Sequence, residues 1–165
     1  MHAYELAQLN ISRLLAPLDA PLLKDFVDNL DRINALAEAT AGFVWRLQTD
    51  DGDATALRPF GEDIIVNMSV WRDVPSLQAF AFRSEHREIL RRRAEWFAPP
   101  SQPMAVLWWV PCGHRPDLAE ARLRLEQLRR HGPSATAFTF REAFAPPGRT
   151  AADMPPLLPD ACPAT

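Results

Sequence analysis

His86 and Arg93 are the two side chains whose type and spacing first suggest chemistry. A helix over residues 84–97, turning about 100° per residue, places both on one side. The rest of that side is apolar: Phe82, Ile89, Leu90 and Phe97. A neutral imidazole can move a proton or bind haem iron, and an arginine in apolar surroundings must reach a carboxylate, backbone carbonyls, water or an anionic ligand. We predict that His86 and Arg93 are catalytic; a hydrogen-bonded core histidine beside a structural arginine is the alternative.

His114 lies in the segment PCGHRP at residues 111–116, between a predicted strand and a predicted helix. Loops at strand ends often carry function, so His114 is a candidate substrate-binding residue. A histidine that bonds the backbone of its own turn is the alternative. His86, Cys112 and His114 match no standard spacing of metal ligands, and we predict no metal site. Glycine-rich phosphate loops, nucleophile elbows and H-E-x-x-H patterns are absent from the sequence, which disfavours those enzyme classes.

The clearest predicted strand, residues 64–72, has two different faces because side chains alternate along a strand. One face is apolar and suits packing against helices: Ile64, Val66, Met68 and Val70. The other face is mixed: Ile65, Asn67, Ser69 and Trp71. Neutral polar groups beside an aromatic ring suit the wall of a ligand pocket.

Neighbouring strands extend the mixed face. The first strand adds Leu6, Gln8 and Asn10, and the strand near residue 108 turns Trp108 and Trp109 to opposite faces. The sequence therefore predicts substrate-binding residues on three strands: Asn10, Asn67, Ser69, Trp71 and Trp109. In this hypothesis Trp71 and Trp109 enclose the substrate, Asn67 and Ser69 orient its oxygens, His86 moves a proton and Arg93 stabilises an anion. The alternative is a dimer interface, where tryptophan and polar groups also mix.

Hydrophobic periodicity predicts the elements that position these residues. Strands are predicted at residues 2–11, 43–48, 64–72, 104–111 and 137–142, and helices at 22–39, 77–82, 84–97 and from Asp117 to a point before Gly132. Without its additions the order is β-α-β-β-α-β, the ferredoxin-like unit. We predict an α+β fold, an antiparallel sheet with helices on one face. The other face should be wet or covered by a partner.

Length and composition indicate a single domain, residues 1–144, and a proline-rich flexible tail, residues 145–165, within 165 residues. The net charge of −3 gives no general attraction to nucleic acid. We expect a cytoplasmic protein without a membrane contact. Its two cysteines lie far apart in the sequence, its first residues do not resemble a signal peptide, and no apolar run reaches about 18 residues.

Several segments together resemble a bacterial family known only as a domain of unknown function, over about residues 2–144. They are LAQLN at 6–10, GFVWRL at 42–47, NMSVW at 67–71, the stretch from Ser84 to His86, RAEWF at 93–97, WWVPCGH at 108–114, GP at 132–133 and AFTF at 137–140.

The resemblance implies the dimeric α/β-barrel group, in which two ferredoxin-like sheets pack face to face as a homodimer. That group contains cofactor-independent antibiotic-biosynthesis monooxygenases, haem-degrading enzymes and haem proteins. It implies no single reaction. Our leading hypothesis is a small-molecule-binding, monooxygenase-like enzyme for an aromatic or polyketide-like substrate, with no cofactor. A haem protein with His86 as axial ligand and a non-catalytic dimeric binding module are the alternatives.

Overall fold

The computed structural model describes residues 3–154 and contains four strands: β1 (Tyr4–Arg13), β2 (Phe43–Arg46), β3 (Ile64–Trp71) and β4 (Ala105–Pro111). The strands form one antiparallel sheet in the order β2-β3-β1-β4. This strand order, on a β-α-β-β-α-β chain, is that of the ferredoxin-like fold, so the predicted α+β class is confirmed. β1 pairs with β3 from Leu6 opposite Trp71 to Arg13 opposite Ile64.

The helices occupy the predicted stretches, with one region more broken than predicted. A 3-10 turn (Pro21–Leu23) leads into α1 (Lys24–Ala39). Between β3 and β4 the chain forms α2 (Val74–Gln78), a π-helical turn (Ala79–Arg83), α3 (His86–Arg91) and α4 (Arg93–Trp96). After β4 comes α5 (Leu118–His131).

Two of the helix starts have the side-chain caps that the sequence indicates. Asp73 accepts a hydrogen bond from the Ser76 amide at 2.9 Å before α2. Asp117 accepts one from the Glu120 amide at 2.7 Å and so opens α5. Each carboxylate satisfies an amide that has no partner inside its helix, which fixes where the helix begins.

The apolar face of β3 packs against α5 and the loop that follows β2. Its residues are at most 7% exposed: Ile64, Val66, Met68 and Val70. They share one buried cluster with apolar residues of α5 and of the loop: Ala54, Leu57, Phe60, Ala121, Leu125 and Leu128. The Arg122 guanidinium lies 4.7 Å from the ring centroid of Phe60 and joins α5 to the loop. Within residues 3–154 this face is therefore fully covered.

The mixed face of β3 lies towards α1–α4. Trp71 shares a buried cluster with Ala37 of α1 and with Val74 and Leu77 of α2, and Ile65 shares another with Trp96 of α4. The expectation of a helix-free sheet face that carries Asn67, Ser69 and Trp71 is therefore wrong. The helices of the ferredoxin-like unit pack on both ends of that face and leave Asn67 exposed between them, and the additional helix α5 covers the opposite face.

Two further details differ from the sequence analysis. The stretch predicted as a last strand, residues 137–142, makes only single bridges, in which Phe138 pairs with Leu107 and Ala137 with Ser134. The predicted tail contains a 3-10 turn, Ala151–Asp153, within residues 145–154. The rest of that tail, residues 155–165, and the predicted strand start at His2 lie outside the described residues.

No helix among residues 3–154 combines the length and the apolar character that a membrane crossing requires.

Candidate functional site

A row of polar side chains lies in the middle of the sheet face that looks towards α1–α4. We call Gln8, Asn10, Asn67 and Ser69 the polar floor. The register sets Asn10 opposite Asn67 and Gln8 opposite Ser69, so all four project from the same face. Asn67 is exposed, Gln8 and Asn10 are half-buried and Ser69 is buried. The floor therefore reaches solvent in the middle of an otherwise apolar surface.

Apolar clusters close both ends of the polar floor. At one end lies the Trp71 cluster: Leu6, Ala37, Trp71, Val74, Leu77, Leu107 and Phe138. At the other end lies the Trp96 cluster: Leu23, Ile65, Trp96 and Phe97. Along α1, which faces this region, Leu30 and Ile33 stay half-buried although they belong to its apolar stripe. We call this exposed polar strip between the two apolar clusters the candidate cleft. Its mixture of polar and apolar residues is of the kind that small-molecule sites have.

Hydrogen bonds connect the floor to Trp71. The Gln8 Nε2 atom donates to Asn67 Oδ1 at 2.8 Å and to Ser69 Oγ at 3.2 Å. The Trp71 Nε1–H group donates to the same Ser69 Oγ at 2.8 Å. Trp71 is fully buried, so this bond satisfies an indole donor that has no access to water.

Stacked rings continue from Trp71 to His86. Trp71 and Phe80 have ring centroids 5.2 Å apart and planes at 22°, and Phe43 meets Trp71 edge-on at 5.4 Å. The His86 ring lies 4.7 Å from Phe80 with the planes at 34°. Two predicted site residues, Trp71 and His86, are thus joined through Phe80, in the offset geometries that aromatic pairs favour.

The π-helical turn (Ala79–Arg83) sets the position of His86. Its Nδ1 atom lies 3.3 Å from the Ala81 carbonyl oxygen, and the Ser84 hydroxyl accepts a hydrogen bond from the His86 amide at 3.1 Å. Burial holds the pKa of His86 below its ordinary value, and the Ala81 carbonyl opposes this shift only in part. The imidazole is therefore neutral at pH 7. With Nδ1–H directed at Ala81, its Nε2 atom carries a lone pair that no residue among 3–154 occupies.

Arg93 is half-buried, and its side chain makes no hydrogen bond or ion pair with any residue in the described range 3–154. Its neighbour Arg92 behaves differently, since it binds Asp25 and Glu95, each at 2.8 Å. Arg93 begins α4, whose Trp96 packs in the Trp96 cluster beside the sheet. The Arg93 guanidinium therefore carries a positive charge with which no side chain among residues 3–154 pairs.

The remaining predicted residues divide into two groups. Asn10 belongs to the polar floor. Trp109 shares its face but donates through Nε1 to the Phe144 carbonyl at 2.8 Å, and Leu6 separates it from Trp71 in the sheet. Because Trp71 is fully buried under Phe80, the two tryptophans do not form the expected sandwich.

His114 lies apart from the cleft. Its Nε2 atom is 2.7 Å from Glu120 Oε2, and the Trp108 indole donates to the other oxygen of Glu120 at 2.8 Å. Trp108 belongs to the opposite face of the sheet, in the core under α5. His114 therefore anchors the loop after β4 to α5. No group of three or more histidine, cysteine, aspartate or glutamate side chains in the described chain is arranged to hold a metal.

Two residues that complete the site are absent from the predicted site residues. Alternation places Gln8 beside Asn10 on the mixed face, but Gln8 was not selected as a binding residue. Phe80 lies outside the helix stripe that contains His86, because the π-helical turn changes the spacing between them. Alternation was a usable signal for Gln8, whereas Phe80 had none at regular helical spacing.

A family model for a domain of unknown function, DUF3291, matches residues 5–154. The search of curated proteins found no relative.

Solved structures give only distant likenesses. A protein of unknown function from Nitrosomonas europaea is 15% identical, with a TM-score of 0.45, over 71% of this chain and 97% of its own. A Pseudomonas aeruginosa protein is also 15% identical, with a TM-score of 0.45, over 67% and 97%. A variant of SnoaB, a cofactor-independent oxygenase from Streptomyces nogalater, is 16% identical, with a TM-score of 0.40, over 67% and 95%. Likenesses at this level carry no functional argument.

Proposed function

Since the chain belongs to the DUF3291 family, a domain of unknown function, we propose its function from the site itself: it binds a small aromatic or polyketide-like molecule above the polar floor and oxidises it with O2 without a cofactor. The observation that carries the proposal is the state of His86. Its imidazole is buried enough to be neutral, is held through Nδ1 at Ala81, and keeps the Nε2 lone pair for a ligand. That combination suits a general base near neutral pH.

In the proposed reaction His86 accepts a proton from an activated CH2 group between aromatic rings. The resulting carbanion is delocalised onto a carbonyl oxygen, where Arg93 and Asn67 supply positive charge and a hydrogen-bond donor. The carbanion then reduces O2. One oxygen atom enters the product as C=O, and the other leaves as water with the two hydrogens of the CH2 group. The substrate supplies all four electrons, so no other reductant is needed.

Anthrone is a suitable probe, because its CH2 group becomes the C=O group of anthraquinone. We expect anthraquinone to form with equal consumption of O2, faster than in buffer alone. His86→Gln should lower the enzymatic rate by about 10²-fold or more, because a glutamine cannot accept the proton. His131→Gln, an exposed histidine at the end of α5, is the matched control and should leave the rate unchanged. A rate equal to buffer alone, or unaffected by His86→Gln, would reject the proposal.

Haem binding is the second candidate. A histidine whose Nδ1–H bonds a backbone carbonyl has its Nε2 oriented as an iron ligand, and His86 has this geometry. Titration with hemin would give a sharp Soret band that His86→Gln removes and His131→Gln preserves. A protein that binds anthrone without turnover and takes up no hemin would instead be a non-catalytic binding module. Homodimer formation also remains a prediction, and light scattering at micromolar concentration tests it.

A further inference from the structure

Gln8 sits between the two polar residues of β3. Its Nε2 group donates to Asn67 Oδ1 at 2.8 Å and to Ser69 Oγ at 3.2 Å, while Trp71 Nε1 donates to Ser69 Oγ at 2.8 Å. The indole is a donor only, so Ser69 Oγ accepts from it, and the same oxygen also accepts from Gln8 Nε2. Gln8 uses its amide nitrogen on both β3 residues and thereby fixes the direction of the Asn67 side chain.

The orientation of the Asn67 amide determines whether its oxygen or its NH2 group is available to a ligand. An asparagine amide has one oxygen that accepts and one NH2 group that donates. Gln8 occupies the Asn67 oxygen, so the exposed Asn67 side chain presents its NH2 group. Asn10, directly opposite, has its Oδ1 atom engaged by the Ser12 hydroxyl at 3.5 Å and likewise keeps its NH2 group. Of the three floor amides, only Gln8 keeps an oxygen without a partner in residues 3–154.

We propose that Gln8 is a positioning residue that makes the polar floor a hydrogen-bond donor, so the ligand is a molecule that turns a ketone, quinone or enolate oxygen towards the sheet. This inference rests on the proposed binding site and names the class of its ligand. A ligand that offered only N–H or O–H groups could bond the Gln8 oxygen alone and would leave the NH2 groups of Asn67 and Asn10 facing donors, which is costly in a partly dry site.

Two rigid tricyclic probes of almost the same shape separate these possibilities. 9-Fluorenone has a C=O acceptor on its central ring, and carbazole has an N–H donor at the same place. Isothermal titration calorimetry of the full-length protein should show that fluorenone binds about tenfold more tightly than carbazole. The fluorenone C=O group gains a hydrogen bond from the floor, whereas the carbazole N–H group faces another donor. The C=O stretching frequency of bound fluorenone should lie below its value in an apolar solvent.

Gln8→Glu tests the positioning role directly. A carboxylate only accepts, so it should turn the Asn67 NH2 group towards residue 8 and present Asn67 Oδ1 to the ligand. The preference should then invert, with carbazole bound more tightly than fluorenone and the fluorenone frequency shift lost. Gln8→Met keeps the length of the side chain without polar atoms and should reduce the preference without inverting it. A purely structural role for Gln8 would weaken both probes equally and leave the infrared shift in place.

The outcomes separate this inference from the proposed function. Anthrone oxidation together with equal fluorenone and carbazole affinities, or with carbazole preferred by the unmodified protein, would overturn the donor floor and leave the oxidation proposal standing. Binding of none of the tricyclic molecules would overturn both.

Discussion

The ring of Phe80 stacks on the indole of Trp71, with centroids 5.2 Å apart and planes at 22°. Phe80 belongs to the π-helical turn, and its other neighbour is the His86 ring at 4.7 Å. A π-helical turn contains one residue more than an α-helical turn, so it rotates the side chains that follow it around the helix axis. Such turns are frequent at functional sites. Here it allows the helix that follows β3 to contact the sheet through Phe80 and still direct His86 at Ala81, so the sheet fixes the position of the proposed base.

Ser69→Ala should destabilise the protein by about 1–3 kcal/mol, because the fully buried Trp71 Nε1–H group would lose its hydrogen-bond acceptor. Urea denaturation measures this loss. In a Trp71→Phe background the same Ser69→Ala change strands no indole donor, and Gln8 Nε2 keeps its bond to Asn67 Oδ1, so the change should cost less than about 1 kcal/mol. Equal costs in the two backgrounds would show that the hydroxyl stabilises the fold in some other way.

His86 should make the stability of the protein depend on pH below 6.5. Its folded-state pKa lies below the ordinary value of 6.5 because burial disfavours the charged form. Above pH 6.5 both the folded and the unfolded states are neutral at this residue, so its contribution is complete. As pH falls from 6.5 towards the folded-state pKa, only the unfolded state takes up the proton, and stability is lost.

The measurement is the melting temperature as a function of pH. His86→Gln should flatten the decline below pH 6.5, whereas His131→Gln, at an exposed position, should not. A decline of the same size in His86→Gln would place its origin in other titrating groups.

Arg93→Met should leave the free energy of unfolding within about 0.5 kcal/mol, because Arg93 has no partner within residues 3–154 that the change would strand. Affinity for an anionic aromatic probe such as 2-naphthoate should fall by about tenfold or more, since one charge-assisted hydrogen bond is lost. Tryptophan fluorescence titration follows the binding.

Arg92→Met is the matched control for Arg93→Met. It removes the bonds to Asp25 and Glu95 and a cation–π contact in which the guanidinium lies 4.8 Å from the Trp96 ring, so it should lower stability and leave naphthoate binding unchanged. A large loss of stability in Arg93→Met with unchanged affinity would assign Arg93 to the core.

Alternation along β3 was enough to predict both the strand and the composition of the candidate site. It separated Asn67, Ser69 and Trp71 from the apolar face, and the structure connects these residues with His86 through Phe80. Alternation cannot tell which face meets which helices, because α5 and α1 both have apolar stripes that suit either face. For that reason the face that carries Asn67 was expected to be bare and is instead the one beneath α1–α4.

The hydrogen bond of Trp109 and the π-helical turn also could not be predicted from the sequence, and the reason is a different one. Trp109 is held by a backbone carbonyl, that of Phe144, and any residue type could supply such an acceptor. The π-helical turn depends on Phe80 fitting against Trp71, a contact between residues of two elements that has no local signature.

The C-terminal tail gives the last prediction, in which three truncations are compared. Ending the chain after Phe144 should lower the melting temperature by no more than about 3 °C, because the Trp109–Phe144 hydrogen bond remains and residues 147–153 are exposed. Ending it after Phe140 removes Phe144, which accepts from Trp109 Nε1 and packs 5.9 Å from the Phe138 ring. That truncation should cost at least about 5 °C, since a half-buried indole N–H loses its partner and the Trp71 cluster loses an aromatic contact.

Ending the chain after Met154, where the family match also stops, is the control and should have no effect on the melting temperature. The tail prediction would be wrong if truncation after Phe144 cost as much as truncation after Phe140. Residues 145–154 would then belong to the packed domain, with the half-buried side chains of Pro146 and Met154 as the contacts to test next.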